Sequence, residues 1–251
     1  MPVEHGSLIS TQQLAERRLI VQQIGEQFPT EVIDTHHSLN RMAAISQEGL
    51  GFIVTTNHFC RDDFKRTLGV LLRQEALAQK RVTIAIGLHE FPTYEPFAIA
   101  AGITTYPVTT QGSIDALGSK APPLGTGMEE FMGAAVETLK QGNLVIMAPQ
   151  GGRRPRMTRS EGRILQTLFG DAEDEGVEFG VLFAGIGIKG QGDYANRDYH
   201  YGETFVLRFG RAYTNIELIS TIEGDSDSQR LRKVDDFWES QTRLLVPPEY
   251  H

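Results

Sequence analysis

From Gly49 onward, short apolar runs of strand length alternate with helix-patterned stretches, and this alternation most narrows the folds open to the chain. Residues 51–56 (Gly-Phe-Ile-Val-Thr-Thr) predict a short buried strand, followed by a helix carrying Phe64, Leu68, Leu71 and Leu72. Further strands are expected at residues 81–87, 103–108, 144–148, 177–188, 203–209 and 215–219. Thr126 and Glu129 suggest a capping box for a helix ending near Lys140, with Gly142 at its C-terminal cap. Leu231, Val234, Trp238 and Leu245 mark one side of a C-terminal helix. Strands alternating with helices predict an α/β fold: a central mixed, largely parallel sheet flanked by helices.

The first 48 residues have a different texture and predict an N-terminal helical extension to an α/β domain spanning residues 49–251. Ser10 and Gln13 are placed for a capping box, and Leu14, Val21, Ile24 and Phe28 share one helical face. Pro29 ends that stretch, and a second helix is expected over residues 38–48, closed by Gly49.

Composition excludes several classes. The chain has 251 residues and is 40% hydrophobic and 22% charged, which is globular rather than disordered. Its net charge of −8 argues against nucleic acid as a partner, so any anion site must be a local basic patch. The single cysteine, Cys60, rules out an internal disulfide and a multi-thiolate zinc cluster. No apolar run approaches the roughly 18 residues of a membrane span, and Met-Pro-Val-Glu-His-Gly lacks a signal peptide's basic and apolar regions. A cytoplasmic protein is expected, soluble or bound peripherally to a membrane.

Two constellations carry chemistry. In Asn57-His58-Phe59-Cys60-Arg61-Asp62-Asp63, the strand ends near Thr56 and Asp63 opens the next helix. A turn of that length folds a carboxylate back onto an imidazole, fixing its tautomer and supporting the imidazolium that forms on proton uptake. That is the base and orienter of a catalytic triad, sufficient when the substrate brings its own hydroxyl. The bland alternative is a loop histidine beside a helix-starting aspartate. The second constellation is Pro149-Gln150-Gly151-Gly152-Arg153-Arg154-Pro155-Arg156 after the strand at 144–148, with Arg159 and Arg163 beyond. Adjacent glycines expose backbone N–H groups, and clustered arginines in an acidic chain suit a phosphate; the alternative is a solvated basic loop.

Together these residues resemble the phospholipid/glycerol acyltransferase family, which includes lysophosphatidate and glycerol-3-phosphate acyltransferases. In that family a strand leads into Asn-His, four residues and Asp; later, Leu-Lys-x-Gly, a strand and Pro-Glu-Gly-Thr-Arg follow. Here Leu139-Lys140-Gln141-Gly142 precedes the strand at 144–148, and Pro149-Gln150-Gly151-Gly152-Arg153 stands in the later position. Phe209-Gly210-Arg211 and the terminal Leu245-Val246-Pro247-Pro248-Glu249-Tyr250 are also similar to the family, so the resemblance covers about residues 49–250. It implies transfer of a fatty acyl group from acyl-CoA or an acyl-carrier protein to a hydroxyl of a glycerol-phosphate or lysophospholipid acceptor. His58 would be the general base and Asp63 its support; Gln150, Gly151, Gly152 and Arg153 would hold the acceptor's phosphate. No cofactor or metal is implied beyond the thioester co-substrate. The chain departs from the pattern at Gln150 (glutamate in the family) and Gly152 (threonine). It also lacks an arginine in residues 102–108 and a proline in residues 181–188. These departures motivate an alternative: a non-catalytic lipid- or phosphate-binding module on the same fold.

Other signals are weaker. Gly185-Ile-Gly187-Ile-Lys-Gly190 has dinucleotide spacing, but a polar turn follows where that motif needs a helix. Cys60 beside His58 suggests a thiol hydrolase, against the commoner role of a lone cysteine as a small buried side chain. His36 and His37 lack further ligands at metal-binding spacing.

Overall fold

A computed structural model of the chain describes residues 9–251. Helix α1 (Thr11–Gln27) begins at the Ser10–Gln13 capping box, which is formed in both directions. Strand β1 (Thr30–Ile33) and helix α2 (Ser38–Gln47) follow, and Gly49 closes α2 with φ 88°. Then come β2 (Gly51–Thr56), α3 (Asp63–Leu71), α4 (Glu75–Ala78), β3 (Val82–Gly87) and α5 (Phe91–Ala100). They are succeeded by β4 (Ile103–Val108), α6 (Gln111–Leu117), α7 (Met128–Lys140), β5 (Leu144–Met147) and α8 (Ile164–Asp174). The chain finishes with β6 (Phe179–Ile188), β7 (Phe205–Thr214), α9 (Asn215–Thr221), α10 (Asp227–Leu231) and α11 (Val234–Leu245).

The seven strands form one sheet in the order β1-β7-β6-β2-β5-β3-β4. Every neighbouring pair is parallel except β6 and β7. This is the mixed, largely parallel α/β sheet that the alternation predicts. All of β2, β5 and β6 is buried, as expected where helices cover both faces and the strands read as unbroken apolar runs. Because β2, β3, β4, β5 and β6 run the same way, the loops that leave their C-terminal ends share one edge. Ligands of open parallel sheets sit at that edge.

Three local expectations need correction. Residues 10–48 are not wholly helical: β1 extends the main sheet beside β7, with Thr30 opposite Phe205. Residues 215–219 are helix α9 rather than a strand, because Thr214 and Glu217 form a reciprocal capping box. Thr126 and Glu129 do not cap α7; Thr126 Oγ1 donates to the Pro123 carbonyl, and Gly127 precedes the helix at φ 88°. The dinucleotide-like glycines lie inside or beyond β6 with no helix after them. A Cβ on Gly185 would stand 2.5 Å from Leu245 Cβ, and one on Gly187 2.4 Å from Pro247 Cδ, so these glycines admit the C-terminal segment. Among the described residues, no helix is long and apolar enough to cross a membrane.

Candidate functional site

Asn57, His58 and Asp63 stand where β2 hands over to α3. The β2–β6 ladder reaches Thr56 opposite Ala184. Asn57 then continues it with its side chain: Nδ2 donates to the Ile186 carbonyl at 2.9 Å, and Oδ1 accepts from the Ile186 N–H at 2.7 Å. With the loop pinned there, the turn brings Asp63 back onto the ring. His58 Nδ1 lies 2.8 and 3.0 Å from the two Asp63 oxygens. Asp63 Oδ2 also accepts from the N–H groups of Phe59 at 2.8 Å and Cys60 at 3.1 Å. Asp63 is 1% exposed at its side chain and His58 is 25% exposed, so the carboxylate is locked and the imidazole is reachable. A carboxylate on Nδ1 assigns the proton to that nitrogen and leaves the lone pair on Nε2. Nε2 has no hydrogen-bond partner among the described residues.

The backbone of His58 is held as firmly as its ring. Its carbonyl accepts from Gln150 Nε2 at 2.6 Å, from the Arg154 N–H at 3.0 Å and from the Tyr250 hydroxyl at 3.3 Å. Gln150 therefore lies fully buried behind the histidine and outside the cavity described below, which corrects its expected role at an acceptor phosphate. Its amide also donates to the Tyr250 hydroxyl at 3.2 Å, so the C-terminal Tyr250, wholly buried, braces the His58 loop. An ionised glutamate here would offer no donor to the carbonyl. Gln150→Glu is expected to lose about 1–3 kcal/mol of stability through the unmade hydrogen bond, and less where the carboxyl is protonated and donates in the amide's place. Urea denaturation checks this, and an unchanged midpoint would show that the brace is unimportant.

In front of the histidine lies a cavity of about 250 Å³ at the C-terminal edge of the sheet. Ile84, Ile86, Ile146, Met128, Phe131 and Ile164 supply its apolar wall. His58, Asp63, His89, Glu90, Gly151, Gly152 and Arg153 add polar groups to the lining. Gly151 adopts φ 78°, and a Cβ there would meet Glu161 Oε2 at 2.3 Å; this turn requires glycine. Arg153 Nη2 donates to Glu90 Oε1 at 2.8 Å, and Arg61 reaches the same oxygen through Nη2 at 3.0 Å. Three sequence-chosen residues, Gly151, Gly152 and Arg153, thus share a cavity with His58 and Asp63. Glu90 was not singled out, because no motif marks the turn after β3; only the strand order brings it beside the other two turns, and Arg61, within the His58–Asp63 turn, gains a role only through Glu90.

Cys60 does not line the cavity. Its thiol is fully buried and donates to Asp62 Oδ1 at 2.7 Å. Burial first, and then the charges of Asp63 and Asp62, push the thiol far above its ordinary range, so it keeps its proton. Two other grooves, one beside α1 and one between α8 and α9, contain neither histidine nor cysteine in their walls. The cavity at His58 is therefore the candidate site. Compared with known proteins, the chain matches no family model and no curated sequence, so what these residues can do rests on their own geometry.

Proposed function

We propose that the chain is an O-acyltransferase that moves a fatty acyl group from acyl-CoA or an acyl-carrier protein to an acceptor hydroxyl. The observation that carries this reading is His58, with Nδ1 fixed on buried Asp63 and Nε2 left for a ligand in the cavity. The acceptor's hydroxyl gives its proton to His58 Nε2 as its oxygen attacks the thioester carbonyl. The C–S bond then breaks, and His58 returns the proton to the departing thiolate. Asp63 stabilises the imidazolium between these steps, and no acyl group is attached to the protein. The apolar wall suits a hydrocarbon chain, while Arg153 and the glycine turn suit an acceptor phosphate or phosphodiester. A glycerol-phosphate or lysophospholipid acceptor fits this division of the cavity.

The test is thiol release from acyl-CoA with candidate acceptors, with the acylated product identified by mass spectrometry. Acceptor-dependent release supports the reading. Binding of lipid or phosphate with no thiol released from acyl-CoA or the acyl-carrier protein would instead assign a non-catalytic binding module.

A further inference from the structure

Turns from three adjacent strands meet on one carboxylate oxygen. Glu90 Oε1, after β3, accepts from Arg61 Nε at 3.1 Å and Nη2 at 3.0 Å, after β2, and from Arg153 Nη2 at 2.8 Å, after β5. Glu90 is 11% exposed at its side chain and Arg153 17%, so water screens that pair weakly, while Arg61 at 36% is partly screened. Burial works against the charge of Glu90, yet Arg153 and Arg61 outweigh it and hold the carboxyl below its ordinary range. His89 Nε2 lies 3.5 Å from the same oxygen. Burial pushes that imidazole below its usual value, so it adds no cation near neutrality. Asp198 approaches Arg61 at 3.5 Å but is 75% exposed and therefore screened. Arg154 is matched by Glu161, and the remaining charged residues of the lining, Arg197 and Asp115, are exposed and therefore screened. Within this cluster, two guanidinium groups and one carboxylate leave a single unmatched positive charge; the other buried carboxylate of the cavity, Asp63, is taken up by His58 Nδ1 and the N–H groups of Phe59 and Cys60. Arg153, which lines the cavity, has no other hydrogen-bond partner among the described residues.

We propose that Glu90 sets the site's selectivity: by cancelling one charge of the Arg61–Arg153 pair, it makes the site prefer a singly charged phosphodiester over a doubly charged phosphate monoester. With the acyl-transfer reading, on which this step rests, the acceptor class becomes lysophospholipids with a diester head group rather than glycerol phosphate or lysophosphatidate. The anion preference itself does not need that reading. The cluster's single net charge attracts a monoester's two charges only in linear proportion, whereas the cost of desolvating the ligand grows as the square of its charge, so in this weakly hydrated cluster the diester is favoured.

The experiment titrates the full chain with methyl phosphate and dimethyl phosphate at about pH 8, where the monoester, with its second pKa about 6, is doubly charged. Chemical shifts of the Arg153 side chain report binding. The wild type is expected to bind dimethyl phosphate at least as tightly as methyl phosphate. Glu90→Gln should raise affinity for methyl phosphate about tenfold relative to dimethyl phosphate. Arg61→Gln should weaken both ligands and disfavour the monoester further, which keeps the test decisive if Glu90→Gln folds poorly. A wild-type preference for methyl phosphate, an unchanged ratio in both variants, or binding of neither ligand would overturn the proposal. A parallel thiol-release assay compares lysophosphatidate with lysophosphatidylglycerol. If neither is acylated while the anion preference holds, the acyl-transfer reading fails and the charge assignment survives.

Discussion

A His58→Ala variant is expected to lose roughly 10²–10⁴-fold in acceptor-dependent thiol release, the range that a positioned general base contributes. It should do so without unfolding. The loop depends on the His58 carbonyl, which alanine retains with its bonds to Gln150, Arg154 and Tyr250. Asp63 also keeps the N–H groups of Phe59 and Cys60 on Oδ2, so removing the ring does not strand its carboxylate. The thermal midpoint should therefore move little while turnover collapses. Cys60→Ser is the matching control: a serine hydroxyl can replace the thiol as donor to Asp62, and activity should persist. Full turnover by His58→Ala would remove the base from the mechanism, and loss of activity in a folded Cys60→Ser would point to a thiol enzyme instead.

Legibility followed the physical signal each segment carries. The strand β2 and the helix α3 stood out because an apolar run and an amphipathic stripe bracket the His58–Asp63 turn, and both elements formed at the expected place. By contrast, β1 has only four residues at the sheet edge, two exposed and two half-buried, too few to show a period. Helix α5 carries Pro92 in its first turn and Pro96 inside, and it is apolar on most sides, so neither periodicity nor propensity announced it. Ile216 and Ile219 suggested a strand, while the Thr214–Glu217 box that starts α9 was the stronger cue. The site divides in the same way. His58 and Asp63 are local in sequence and could be paired by spacing. Glu90 and Gln150 owe their places to the β2-β5-β3 order and to the buried C-terminal Tyr250, which no short-range pattern encodes.

Beneath the His58–Asp63 turn, Arg66→Met is expected to destabilise the protein by about 3–5 kcal/mol, the usual cost of removing one partner from a buried ion pair. Arg66 and Asp62 are 0% exposed at their side chains, with Nη2 3.0 Å from Oδ2. The guanidinium also donates to the carbonyls of Pro29, Glu203 and His200 and lies 3.6 Å above the Phe205 ring. It thereby ties α3 to the start of β1 and to the segment entering β7. Without Arg66, Asp62 would retain the His200 N–H and the Cys60 thiol but lose its hydrogen-bonded cation, with only the charge of Lys65 still acting on it. Most of the loss should therefore come from a charge left buried. Adding Asp62→Asn to Arg66→Met should recover part of the stability, because a neutral amide still accepts from His200 without that penalty. Urea denaturation of the two single variants and the double variant supplies the cycle. A loss under about 1 kcal/mol for Arg66→Met, or a double variant no better than the single one, would show that the pair is not what holds this turn. Because Asp62 adjoins Asp63, the destabilised variant should also loosen the His58–Asp63 contact, and its thiol release should fall before it unfolds globally.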